Sequence, residues 1–108
     1  MSTGISARLA EIAGALPLRQ DIRILEIGCG TGVMARHIAD RIGRCFILGV
    51  DRSATSIVRA ESLSAGYMNE GKIAYWQSAI EQFHWPVEAE KFDLAVAVRC
   101  PRWPASER

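Results

Sequence analysis

Apolar residues along the chain alternate between two kinds of segment, spaced stripes and short continuous runs. Ile5, Leu9, Ile12 and Leu16 recur at spacings of four, three and four, which predicts an amphipathic helix that Pro17 closes. Ile22 to Ile27 is short, apolar and bounded by a glycine cluster, the pattern of a buried strand. From Thr31 to Ile42 the positions Met34, Ile38 and Ile42 form a second helical stripe, with Gly43 as its terminator. Cys45 to Val50 reads as a second strand, ended by Asp51. Ser53 is placed to N-cap a third helix whose packed face carries Ile57, Ala60 and Leu63, with Gly66 near its end. Ile73 to Trp76 predicts a third strand, less apolar and so an edge, and Phe92 to Val98 a fourth.

Strands separated by helices imply right-handed βαβ units and a parallel sheet covered on both faces. The uninterrupted runs Phe46–Val50 and Leu94–Val98 agree, since a half-exposed strand alternates apolar and polar positions. The expected fold class is α/β.

Composition narrows the functions open to such a domain. The chain has 108 residues, of which 49% are hydrophobic and 23% charged, and its formal net charge is +1. That length fits one domain, here expected over residues 1–99, with an irregular tail over 100–108. Near-neutral charge gives no electrostatic case for nucleic acid or an anionic membrane. The longest apolar run, Ile12 to Leu18, falls short of a membrane span, and no basic-then-apolar leader opens the sequence, so the expected compartment is the cytoplasm. Cys29, Cys45 and Cys100 form neither a disulfide framework nor a zinc motif; they read as small reduced residues.

The chemistry concentrates in Ile24-Leu25-Glu26-Ile27-Gly28-Cys29-Gly30-Thr31-Gly32. A strand ends, three glycines at alternate positions make a tight turn, and a helix begins. Glycine permits positive φ and lets a ligand lie directly against the backbone. Asp51 ends the next strand 23 residues after Gly28, where a carboxylate can accept hydrogen bonds from two ribose hydroxyls. A dinucleotide site asks for a third glycine where this chain has Val33. Glu26 would repel a pyrophosphate and suits a ligand with an ammonium or sulfonium centre. The residues favour a nucleoside without phosphates.

Leu25-Glu26-Ile27-Gly28-Cys29-Gly30-Thr31-Gly32 resembles motif I of class I S-adenosylmethionine-dependent methyltransferases. Gly49-Val50-Asp51 is similar to their acidic position after the second strand, and Phe92-Asp93-Leu94-Ala95-Val96-Ala97-Val98 to their fourth strand. The resemblance implies a Rossmann-like three-layer sandwich with a mostly parallel sheet. This chain supplies about four strands, in the expected order 3-2-1-4, and is truncated relative to the seven-stranded family fold. It further implies S-adenosylmethionine as cofactor. Gly28, Cys29, Gly30 and Gly32 would form the turn against it, Glu26 would face its amino-acid end, Asp51 would hold the ribose hydroxyls and Arg52 would lie beside the adenine. Many members carry an aspartate after the third strand; Ser78 and Ala79 stand there here, so that contact falls to weaker groups or backbone.

No residue stands out as a catalytic base, and methyl transfer does not require one, because the sulfonium is already activated. Arg99, just past the fourth strand, is the one candidate facing a methyl acceptor. His37 reads as a surface or packing residue, while His84 lies in a loop that could border the cofactor. Trp76 and Trp85 read as packing. The acceptor, a small molecule or a macromolecule, is not specified by any motif. The alternative functions are a non-catalytic nucleoside- or partner-binding module and an NAD-binding half-domain, the latter disfavoured by Val33 and Glu26. Leu94 to Val98 carries no charge and no proline, so an exposed fourth strand is expected to pair with a second copy in a homodimer.

Overall fold

The computed structural model describes residues 6–79 and 92–97. Four helices and four strands lie among them: α1 (Ala7–Ala15), β1 (Ile22–Ile27), α2 (Val33–Arg41), β2 (Cys45–Asp51), α3 (Ala54–Leu63), α4 (Ala65–Asn69), β3 (Ile73–Gln77) and β4 (Leu94–Val96). The strands form one sheet in the order β3-β2-β1-β4, and every neighbouring pair is parallel. This is the α/β, Rossmann-like order expected from the sequence.

Local chemistry accounts for the helix ends. Ser6 caps α1, its hydroxyl accepting from Leu9 N at 3.1 Å. The helix stops before Leu16, whose extended backbone is what a following proline imposes. Ser53 caps α3 as expected, accepting from Ser56 N at 3.1 Å. Gly43 does not terminate α2 through a left-handed turn: Ile42 is already extended (φ −123°, ψ 120°), and Gly43 is not among the glycines with positive φ. Gly66 lies inside α4, and the left-handed residue that follows that helix is Gly71 (φ 77°).

Register turns the apolar runs into a core. Ile24 pairs with Ile47, Ile47 with Ile73, and Ile24 on its other side with Leu94, so one row of branched side chains crosses the whole sheet. These residues join Leu9 of α1 and Met34, Ala35, Ile38 and Ala39 of α2 in a single hydrophobic cluster. Each large apolar side chain among them contributes about 1.5–3 kcal/mol of burial free energy. Right-handed crossovers from β1 to β2 and from β2 to β3 run in the same direction and put α2 and α3 on the same face. Residues 80–91, between β3 and β4, lie outside the described residues. So do Val98, Arg99, Cys100 and the rest of the tail. Among the described residues, the fourth strand is three residues long rather than the seven its apolar run predicts.

One helical face differs from its prediction. Leu63 is 49% exposed, and the core position after Ala60 is Ser64, fully buried. At roughly 100° per residue, Ser64 continues the Ile57–Ala60 stripe and Leu63 falls well to its side. Among the described residues, no helix is long and apolar enough to cross a membrane.

Candidate functional site

The carboxyl ends of β1, β2 and β4 converge where the strand order reverses, the place at which open α/β sheets bind ligands. Here β1 runs directly into the glycine turn. Gly28, Gly30 and Gly32 all take positive φ, at 73°, 57° and 84°, so each of the three glycines is required by the backbone path. The turn is fastened sideways to the next strand, with Gly28 N and Cys29 N donating to Val50 O at 2.7 and 3.1 Å. Gly32 N closes it on Cys29 O at 3.0 Å.

Asp51 is the hub of this end of the sheet. One carboxylate oxygen accepts from Gly30 N at 2.8 Å, and the other from Ser53 N at 2.9 Å. Its own carbonyl accepts from Ser78 N at 2.9 Å. Three segments, the glycine turn, the start of α3 and the end of β3, are thereby held by one residue. Each carboxylate oxygen has a second lone pair, so the capacity to accept from ligand hydroxyls remains.

Glu26, two residues before the turn, is buried, at 2% exposure. Cys29 is buried as well, its thiol against Gly30 O at 3.6 Å. Arg52 is exposed beside Asp51, its carbonyl accepting from Gln77 Nε2 at 3.0 Å. Ser78 and Ala79 are half-buried at the end of β3, and the Ser78 hydroxyl donates to Ala79 O at 2.9 Å. The fold thus gathers Glu26, Gly28, Cys29, Gly30, Gly32, Asp51, Arg52, Ser78 and Ala79 at one end of the sheet. Arg99 and His84 lie outside the described residues; His37 is half-buried on α2.

Three residues behind the turn escape a reading of the sequence alone. Tyr75 on β3 pairs in register with Gly49 on β2, which pairs with Glu26 on β1. The Tyr75 ring leans across Gly49: a Cβ there would meet ring carbons at 2.8 and 2.9 Å and the Cys29 sulfur at 2.9 Å. Its hydroxyl sits 2.8 Å from the Ser64 hydroxyl, which accepts from Arg36 Nη1 at 3.1 Å. Arg36 Nη1 also donates to Thr31 O at 2.7 Å, inside the turn. Burial pushes the Tyr75 phenol up to about 12, the Ser64 hydrogen bond working against that rise. The available signal was Gly49 itself, since a lone glycine within a strand marks a close approach by another group.

A parallel sheet in this order, with a glycine turn after its first strand and an acid at the tip of its second, is an α/β fold of the Rossmann-like class. Residues 24–107 match the methyltransferase domain family, and the chain belongs to that family. A sterol 24-C-methyltransferase of Debaryomyces hansenii is 29% identical over 87 residues, covering 81% of this chain and 22% of the relative. A malonyl-[acyl-carrier protein] O-methyltransferase of Magnetococcus marinus is 40% identical over 58 residues, covering 54% of this chain and 22% of the relative. The chain therefore spans about a fifth of the length of these curated relatives. Among solved structures, a SAM-dependent methyltransferase of Thiobacillus denitrificans in complex with S-adenosyl-L-homocysteine aligns with a TM-score of 0.72 at 24% identity, over 94% of this chain and 39% of that one.

Proposed function

We propose that the chain binds S-adenosylmethionine across the ends of β1, β2 and β4 and serves methyl transfer to an acceptor held beyond β4. The observation that carries this reading is the pairing of three positive-φ glycines with an Asp51 carboxylate bonded to the middle one. The donor set suits the cofactor. Asp51 presents further lone pairs for the ribose hydroxyls, and Glu26 places a carboxyl group near the ammonium end. Ser78 and Ala79 offer backbone and a hydroxyl to the adenine edge, and Arg52 can flank its face. When bound, the cofactor supplies an activated methyl group on a sulfonium, and the protein has only to hold an acceptor in line with it. Arg99 is the residue we assign nearest that acceptor.

Titration calorimetry of the folded chain tests the reading. S-adenosylhomocysteine is expected to bind and to raise the melting temperature, the stabilisation reaching about 2.7 kcal/mol at a hundredfold excess over Kd. NAD is expected to do neither. No heat with S-adenosylmethionine or S-adenosylhomocysteine overturns the proposal. The same reading has the chain in the cytoplasm. It also has a second copy pairing along the outer edge of β4. Light scattering that finds a monomer at every concentration overturns the pairing alone.

A further inference from the structure

Tyr75 occupies an unusual position for a polar aromatic. It stands on an edge strand yet points into the layer between sheet and helices, over a strand glycine, with its hydroxyl directed at the first residues of α2. Two glycines make room for it. A Cβ on Gly49 would press on the ring, and a Cβ on Gly32 would collide with the phenol oxygen and come within 3.0 Å of Arg36 Nη1. Gly32 is thus closed to larger residues twice over, by its left-handed backbone and by Tyr75.

From the phenol, a chain of hydrogen bonds leads back to the turn. Ser64, in the break between α3 and α4, bridges Tyr75 and Arg36, and Arg36 reaches the Thr31 carbonyl. Thr31 lies between the glycines that form the ligand-side backbone. The Arg36 guanidinium is turned inward, and one of its nitrogens serves both Thr31 and Ser64. A charged donor on a carbonyl in a partly buried setting is among the stronger hydrogen bonds. Buried networks of this kind restrict a loop to one geometry when every member is satisfied.

We propose that Tyr75 is a positioning residue for the cofactor turn, acting through Ser64 and Arg36 to fix Thr31 and Gly32 before any ligand arrives. The inference rests on the cofactor reading given above. Its physical content is preorganisation: a turn already held in its binding geometry loses less conformational freedom on binding. The effect of Tyr75 on affinity passes through the backbone of the turn, to which Ser64 and Arg36 connect it.

The test compares Tyr75→Phe, Ser64→Ala and their combination in the full chain, at a temperature where all are fully folded by circular dichroism. Two readouts are taken: the Kd for S-adenosylhomocysteine, and amide hydrogen exchange at Thr31, Gly32 and Val33. Tyr75→Phe keeps the ring that fills the space over Gly49 and removes only the hydroxyl. The expected result is a roughly three- to tenfold weaker Kd for each single variant, no further weakening in the double variant, and faster exchange confined to the turn. A purely structural role would lower the melting temperature and leave the Kd of the folded fraction unchanged. That outcome overturns the proposal, as do additive effects of the two substitutions. If the unaltered chain binds no S-adenosylhomocysteine, the cofactor reading falls, and the exchange rates alone decide: unchanged exchange at the turn in Tyr75→Phe overturns the positioning role, faster exchange upholds it.

Discussion

Asp51 and Gly30 are joined by a 2.8 Å hydrogen bond from the glycine's N–H to the carboxylate, linking the tip of β2 to the middle of the turn that follows β1. The residue expected from the sequence to receive a ligand is therefore already employed in shaping the ligand's bed. On the proposed cofactor reading, shaping the turn and holding the ribose would use different lone pairs of the same two oxygens.

Replacing Asp51 should separate these roles. Asp51→Ala removes the acceptors for Gly30 N and Ser53 N together, and hydrogen bonds to a charged group contribute about 1.5–3 kcal/mol each. Solvent reaches this half-buried site and reduces the loss, so a destabilisation of about 2 kcal/mol is expected by urea unfolding. The affinity for S-adenosylhomocysteine should fall at least tenfold, about 1.4 kcal/mol. Asp51→Asn retains one acceptor oxygen and turns an amide donor toward the other N–H, so it should rescue less than half of the stability. Calorimetry showing wild-type affinity in Asp51→Ala would mean that the ribose is held elsewhere.

Tyr75 gives the fold an alkaline weakness. Its phenol is raised to about 12 from 10.0 because burial disfavours the phenolate. The folded state therefore holds this proton more tightly than the unfolded state does. Stability from this source is complete below pH 10 and is lost as pH rises from 10 through 12. Over two pH units the loss is bounded at roughly 2 to 3 kcal/mol. Urea unfolding between about pH 9 and pH 12 should show a decline that Tyr75→Phe flattens. Tyr67 is also raised, by its hydrogen bond to Asp40, but it sits near the surface, so Tyr67→Phe should change the slope little.

Two glycine-to-alanine changes should move stability in opposite directions. Gly14 lies in α1 with nothing within 4 Å of a would-be Cβ, so Gly14→Ala should stabilise by about 0.5–1 kcal/mol through helix propensity and reduced unfolded-state freedom. Gly49 lies in β2, where an unstrained alanine would ordinarily be favourable. Its Cβ would meet the Tyr75 ring at 2.8 Å and the Cys29 sulfur at 2.9 Å, so Gly49→Ala should destabilise by about 1–3 kcal/mol. Thermal melts of the two variants settle the signs. Equal effects would mean that Tyr75 does not fill the space over Gly49.

What could be read from the sequence was what is encoded by neighbours in the chain. The glycine turn, the strand before it, the Ser53 cap and the acid at Asp51 depend on residues a few positions apart, and each stands where its local pattern puts it. The place of β4 beside β1 follows from the resemblance to a known family, because nothing local specifies strand order. The Tyr75–Ser64–Arg36 chain is hidden from the sequence for the same reason. It exists only once β3 is set in register against β2, so that Tyr75 faces Gly49, and once α2 and the α3–α4 break are packed on the same face. Gly43 and Gly66 look like helix stops on residue type alone. A glycine ends a helix through a left-handed conformation, and neither adopts one.

Leu63 shows the same limit and yields the final prediction. Apolar character and a spacing of three from Ala60 assign it to the packed face, yet Ser64, also within one turn of Ala60, is the residue inside. A serine can occupy that place because both its donor and its acceptor capacity are met, by Tyr75 and Arg36. Leu63 then turns outward, to 49% exposure, beside Val58 at 66%. Leu63→Ala should accordingly change stability by no more than about 0.5 kcal/mol, as surface substitutions do. Ile57→Ala, on the buried stripe at 6% exposure, should cost about 2–4 kcal/mol. Ser64→Leu places a bulky apolar group where two hydrogen bonds now meet and should be the most damaging of the three, since it strands the buried Tyr75 hydroxyl as well as overfilling the site. Urea midpoints measured for the three variants under one condition give the order. If Leu63→Ala proves costlier than Ile57→Ala, α3 packs with the face its apolar residues alone would predict.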